Sequence, residues 1–245
     1  KTGTSSIQRA LQLGLVKGKN SDFSVFTTDL HSANAVAVAR GFAKSHRRPM
    51  RASMHEITSW LKHTNADYPI ISSEFFSKAD PALLRHALSE VRTGTVKSGP
   101  IAKIFGRVRP HKPSSLANDV RVIAYVRPHL GRAMSSFFER VRCGYTLHNF
   151  SDWLPEALKS DLLLYAPRFR AWRDSFGDQF TLRPFLREEL ADGDVVVDFF
   201  ENVFGRGKFT ITQTVNSNES LGMKSLAGML AFNREMAGLG MQPRK

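Results

Sequence analysis

Lys1-Thr2-Gly3-Thr4-Ser5-Ser6 places a cation, a glycine and four hydroxyls directly ahead of a helical pattern. A turn of this kind can hold an anionic group. The first helical turn has N–H groups without intrahelical partners, the helix dipole is positive there, and a lysine neutralises charge. A second candidate is Arg127, which ends the apolar run Val120–Arg127 (VRVIAYVR). An arginine at a strand end can bind a terminal phosphate bidentately, and Ser135, eight positions on, can add a hydroxyl. For acid–base work there are two candidates. Glu74 closes the stretch Pro69–Glu74, and His31 stands in the Leu30-His31-Ser32 turn before a helix. Each feature also has a plain structural reading: a frayed Ser/Thr terminus, a surface ion pair, a polar helix residue, a strand-end carboxylate, a capping histidine.

Taken in order along the chain, the first two motifs resemble those of sulfotransferases that use 3′-phosphoadenosine-5′-phosphosulfate (PAPS). Lys-Thr-Gly-Thr-Ser at a helix start is similar to that family's 5′-phosphosulfate loop, and Arg127 with Ser135 is similar to its 3′-phosphate site. The Pro69–Glu74 and Arg183-Pro184-Phe185 segments look like those of bacterial, carbohydrate-type members. The resemblance implies an α/β P-loop nucleotide-binding fold, with a central, mostly parallel sheet flanked by helices. It also expects a strand ahead of Lys1. Lys1, Thr2, Gly3, Thr4, Ser5 and Ser6 would bind the 5′ end of the donor, and Lys1 would also contact the leaving-group oxygens. Arg183 and Phe185 fall where the family places adenine contacts, although Phe185 serves equally well as a core residue. Glu74 or His31 would be the base. The expected activity is sulfuryl transfer from PAPS to a hydroxyl or amine acceptor, a glycan or related molecule, releasing 3′-phosphoadenosine-5′-phosphate (PAP). Position 72 is Ser, where cytosolic relatives carry a second lysine, and Gly205-Arg206-Gly207-Lys208 only loosely replaces their C-terminal basic loop.

The elements that must position these residues alternate in type. Helices are expected behind the opening turn, over 32–44, from the Ser53-x-x-Glu56 capping box, from Asp80-Pro81, over about 131–142, over 194–204 and over about 221–236. Strands are expected at 23–27, 68–75, 120–127 and 179–183, and a long loop at 93–118. Alternating strands and helices argue for a parallel α/β sheet with ligands at the strands' carboxyl ends. A single domain over residues 1–245 accommodates the whole.

The chain of 245 residues is 42% hydrophobic and carries a formal charge of +13, with a pI near 10.2. Residues 30–55 and 91–118 contain no Asp or Glu. This charge suits an anionic partner such as a nucleotide donor. No zinc-ligand spacing, aromatic RNA-binding strand or basic heptad pattern accompanies it, so nucleic acid is not the expected partner. No metal site is expected either, since the eight histidines form no paired motif. Cys143 is the only cysteine, which suits a reducing, cytoplasmic setting and excludes an internal disulfide. No apolar run is long enough to span a bilayer. The rival reading takes Lys1-Thr2 as the end of a Walker A sequence in an ATP-dependent kinase or ATPase.

Overall fold

The structure, a computed structural model, describes residues 3–27, 33–43, 50–91, 115–213 and 222–241. In chain order the elements are α1 (Thr4–Gln12), β1 (Val16–Gly18), β2 (Phe23–Val25), α2 (Val36–Arg40), α3 (Met50–His63), β3 (Tyr68–Ile70) and α4 (Pro81–Ser89). There follow α5 (Leu116–Asp119), β4 (Val122–Val126), α6 (His129–Arg142), α7 (Phe150–Lys159), α8 (Tyr165–Phe176), β5 (Phe180–Pro184), α9 (Val195–Phe204), β6 (Phe209–Ile211) and α10 (Met223–Gly238). The class is α/β. Its described strands form three two-stranded ladders: β1 with β6, β2 with β3, and β4 with β5. β2 and β3 run parallel, with Phe23 opposite Tyr68 and Val25 opposite Ile70. β1 and β6 run antiparallel, with Val16 opposite Ile211. One continuous sheet was expected from the alternation, and the long-range antiparallel β1–β6 pair was not. No helix among the described residues is long and apolar enough to cross a membrane.

The chain divides into two compact units, Lys1–Tyr125 with Phe169–Ser217, and Val126–Arg168 with Asn218–Lys245. Two clusters build the core of the first. Ile7, Ala10 and Leu11 of α1 pack with Val195, Val196, Phe200 and Phe204 of α9. Val38, Phe42, Ile57, Leu61, Leu84 and Leu88 pack with Trp172, Phe176 and Phe180. Local signals explain several helix starts. Asp80 accepts from the Ala82 and Leu83 N–H groups with Pro81 in the first turn of α4, and Asp194 accepts from those of Val196 and Val197 at the head of α9. The second unit is built on α6, α7 and α10, whose Ala133, Phe137, Val141, Trp153, Ala157, Leu226 and Leu230 are buried together. Asn233 ties α10 to α6 by donating to the Val141 carbonyl at 2.8 Å.

Two local expectations need correction. Ser53 does not open a helix: α3 already runs from Met50, and Ser53 is fully buried within it. A Cβ on Gly41 would lie 2.1 Å from Ser53 Oγ, so the Ser53/Gly41 pair is a close approach of α3 to the end of α2. The strand expected to end at Glu74 stops at Ile70. Ser72 spends its carbonyl on the Ala35 N–H, and Ser73 Oγ accepts from the Phe75 N–H, opening a 3₁₀ turn over Glu74–Lys78. Most of the expected 93–118 loop lies outside the described residues; its last part forms α5.

Candidate functional site

In the first unit the opening turn is shaped by Gly3, which precedes α1 with φ +69°. Only glycine takes this left-handed conformation at little cost. Space imposes the same choice, because a Cβ at this position would lie 2.7 Å from both Phe185 Cε2 and Val195 Cγ2. The Gly3 carbonyl accepts from the N–H groups of Ser6 and Ile7, at 2.9 and 3.1 Å. No side chain caps α1, and its first turn, Thr4–Ser6, holds no acidic residue. These are the features of an anion-accepting helix start. Lys1 and Thr2 lie outside the described residues. Phe185 is half-buried against the α1/α9 cluster, so the aromatic ring considered for adenine borders the Gly3 turn.

The Ser72–Glu74 segment is fastened to the same helix. Gln8 Nε2 of α1 donates to Ser72 Oγ at 3.2 Å. Two residues on, Glu74 Oε2 accepts from Asn34 Nδ2 at 3.0 Å. Glu74 thus stands at the start of a 3₁₀ turn, not at a strand end, with one carboxylate oxygen held by an amide. Asn34 and Gln8 carry no motif signature, and only their side-chain contacts mark them. His31, three residues before Asn34, lies outside the described residues.

Arg183 has a structural commitment. Its Nη2 and Nε donate to Asp198 Oδ1 and Oδ2 at 2.5 and 3.2 Å, and Nη2 also donates to the Glu189 carbonyl. Asp198, 1% exposed, further accepts from the Tyr125 hydroxyl at 2.7 Å and the Ala191 N–H at 3.1 Å. Burial alone would raise the Asp198 carboxyl, but the hydrogen bonds from Arg183, Tyr125 and Ala191 reverse this and hold it below the usual carboxylate range. Tyr125 moves the other way: burial first, then the carboxylate beside it, pushes its hydroxyl far above the ordinary tyrosine value.

In the second unit Arg127 follows β4 directly, and Tyr165 Oη donates to the Arg127 carbonyl at 2.9 Å. The rings of His129, at the start of α6, and Tyr165, at the start of α8, lie 4.5 Å apart. Burial and then the charge of Arg132 pull Arg127 below the ordinary arginine value. Arg132 is likewise pulled down, by burial first and also by Arg168, against an opposing contribution from Tyr165. Among the described residues Arg132 forms no ion pair, and Arg168 Nη2 donates to a neutral acceptor, the Asp161 carbonyl, at 2.8 Å. Ser135 is half-buried, one turn beyond Arg132 on α6. Arg132, Arg168 and Tyr165 escape a motif search because they come from helices separated in sequence.

Among the described residues no group of three or more His, Cys, Asp or Glu side chains is placed to hold a metal ion. Compared with protein-family models, curated proteins and solved structures, the chain shows no match to any of them.

Proposed function

We propose that the chain is a PAPS-dependent sulfotransferase of P-loop type, acting on a hydroxyl or amine acceptor such as a glycan and releasing PAP. The observation that carries this reading is the Gly3 turn: a sterically required, left-handed glycine heading an uncapped helix whose first turn is Thr4-Ser5-Ser6. A side chain at Gly3 would intrude on Phe185 and Val195, so glycine lets the turn pack closely, and the donor's 5′-phosphate is assigned to the N–H groups at the head of α1. When bound, PAPS supplies the sulfuryl group already activated by its phosphate leaving group.

The roles of the chain's own residues follow from their chemistry. Backbone amides from Gly3 to Ser5, with the hydroxyls of Thr4 and Ser5, bind and orient the 5′-phosphate, since the Ser6 N–H is already bonded to the Gly3 carbonyl. Lys1, two residues before Gly3, is assigned to the charge that grows on the leaving-group oxygens. Arg127 and Ser135 are assigned to the 3′-phosphate. Glu74 takes the acceptor's proton, and the amide of Asn34 on its Oε2 holds the carboxylate in one orientation. Gln8, by gripping Ser72, keeps the Glu74 segment in register with the phosphate-binding helix. His31 is the competing base.

Titration calorimetry with PAP, and with ATP plus magnesium, tests the donor. Binding of PAP is expected, and a preference for ATP with magnesium would move the chain to the kinase reading. Sulfuryl transfer from labelled PAPS to candidate glycans tests the reaction. Glu74→Gln should slow turnover about 10²–10⁴-fold while leaving PAP affinity unchanged. A variant that keeps its activity would take the base role from Glu74.

A further inference from the structure

We propose that Arg40, Phe75 and Lys78 form the acceptor side of the site and select a negatively charged glycan, with carboxylate or sulfate groups near the reacting hydroxyl. Calling the glycan an acceptor rests on the reading above, in which Glu74 is the base; the anion-binding patch itself does not.

Hydrogen bonds lace the two segments that carry these residues. The Ala35 N–H donates to the Ser72 carbonyl and the Asp80 N–H to the Phe42 carbonyl, each at 2.8 Å. The residues flanking α2 are thereby tied to the residues flanking the 3₁₀ turn Glu74–Lys78, and Asn34 holds Glu74 beside them. Arg40, the last residue of α2, reaches the ring that follows Glu74: its Cζ lies 5.0 Å from the centroid of Phe75. Lys78 stands three residues beyond Phe75, a spacing that returns a side chain to the same side of a 3₁₀ turn. Its Nζ lies 5.7 Å from the same centroid.

Arg40 and Lys78 are exposed, Phe75 is half-buried, and among the described residues neither cation forms an ion pair. A ring contact orients a cation without neutralising it, and at an exposed site adds little stability. The patch therefore presents two positioned positive charges next in sequence to the carboxylate assigned to the acceptor's proton. A neutral acceptor has no use for them. An anionic acceptor does, because the Glu74 carboxylate and the donor's phosphates would otherwise repel it. The guanidinium fork of Arg40 matches two oxygens of a carboxylate or sulfate, and Lys78 adds a point charge. Residues 30–55, which contain Arg40, hold no Asp or Glu to oppose the approach of such a ligand.

The test uses oligogalacturonate, its neutral methyl ester and a sulfated galacto-oligosaccharide of the same length, with the full chain. Calorimetry measures their binding, and transfer from labelled PAPS measures their use. Both charged oligosaccharides should be preferred to the methyl ester, and the better of the two identifies the anionic group. Arg40→Met and Lys78→Met should each raise Kd and KM for the charged acceptor about 3- to 10-fold, with kcat, PAP affinity and binding of the methyl ester unchanged. Arg40→Lys should recover part of the loss, since it returns the charge without the fork. Arg173→Met removes one equal charge from an exposed position of α8 in the same unit and should change nothing. An equal loss in Arg173→Met, or native affinity in both the Arg40 and Lys78 variants, would overturn the proposal. Equal use of the methyl ester would also overturn it, while leaving the sulfotransferase reading intact. Binding of a charged oligosaccharide that depends on Arg40, by a chain that binds no PAP, would sustain the patch and remove the sulfotransferase reading. Absence of binding by both charged oligosaccharides would remove the patch.

Discussion

Arg183 and Arg132 are both half-buried arginines, one in each unit, yet their surroundings differ in kind. Arg183 meets a buried carboxylate through two nitrogens, and the same carboxylate accepts from Tyr125 and Ala191. Charge and hydrogen-bonding capacity are settled within the protein. Arg132 has no such acid among the described residues, and burial first, together with the charge of Arg168, depresses its proton affinity. An arginine balanced by a buried acid holds a fold together, whereas an arginine whose proton affinity is lowered by burial and by a nearby like charge adds no such support. The difference lies in the partner, since both residues have the same side chain.

Substitutions at Asp198 and Arg132 probe that contrast, and one at Gly3 sets their scale. Asp198→Ala should have the largest effect on stability, about 3–5 kcal/mol, because it strands the Arg183 guanidinium and the Tyr125 hydroxyl at once. Urea denaturation followed by circular dichroism measures it. The pH dependence has a definite sign. The folded-state value of Asp198 is depressed, so its contribution is complete above the unfolded carboxyl value near ~3.9, and is lost as pH falls through the folded value. The stability gap between the native chain and Asp198→Asn should therefore close only on acidification below about pH 4. A gap that narrowed near neutrality would mean that another group dominates.

Gly3→Ala comes next, at about 1–3 kcal/mol, because alanine is strained at φ +69° and meets Phe185 and Val195 at 2.7 Å. It should also weaken PAP binding, which separates the turn's ligand role from its packing role when compared with Phe185→Leu. Arg132→Met should have the smallest effect, within about 0.5 kcal/mol of the native chain or slightly stabilising, because it removes a repelled, unpaired charge. Melting curves at low salt check this. If Arg132→Met destabilises as much as Asp198→Ala, the two arginines are alike and the contrast fails.

Features written into adjacent residues were the legible ones. Asp80-Pro81 and the Asp194 cap announce α4 and α9 because a side-chain oxygen reaches amides two and three residues away. VRVIAYVR gives β4, over Val122–Val126, and the apolar spacing of Ile7, Ala10 and Leu11 gives α1. The β1–β6 pair was not legible: each strand has three residues, and they are almost two hundred positions apart. Nor was the end of β3, where Ser72 and Ser73 divert the chain into hydrogen bonds with Ala35 and Phe75. For the candidate site, Gly3 and Glu74 were visible as residue types in a pattern, while Gln8 and Asn34 were visible only as contacts.

By itself the sequence determined the α/β class, most helix positions, the excess positive charge and the glycine turn, all set by short-range spacing and composition. Tertiary structure alone decided which arginine meets an acid and which meets its own kind. Charges interact through space, and residues such as Tyr125 and Asp198, or Arg132 and Arg168, acquire their neighbours only when distant segments pack.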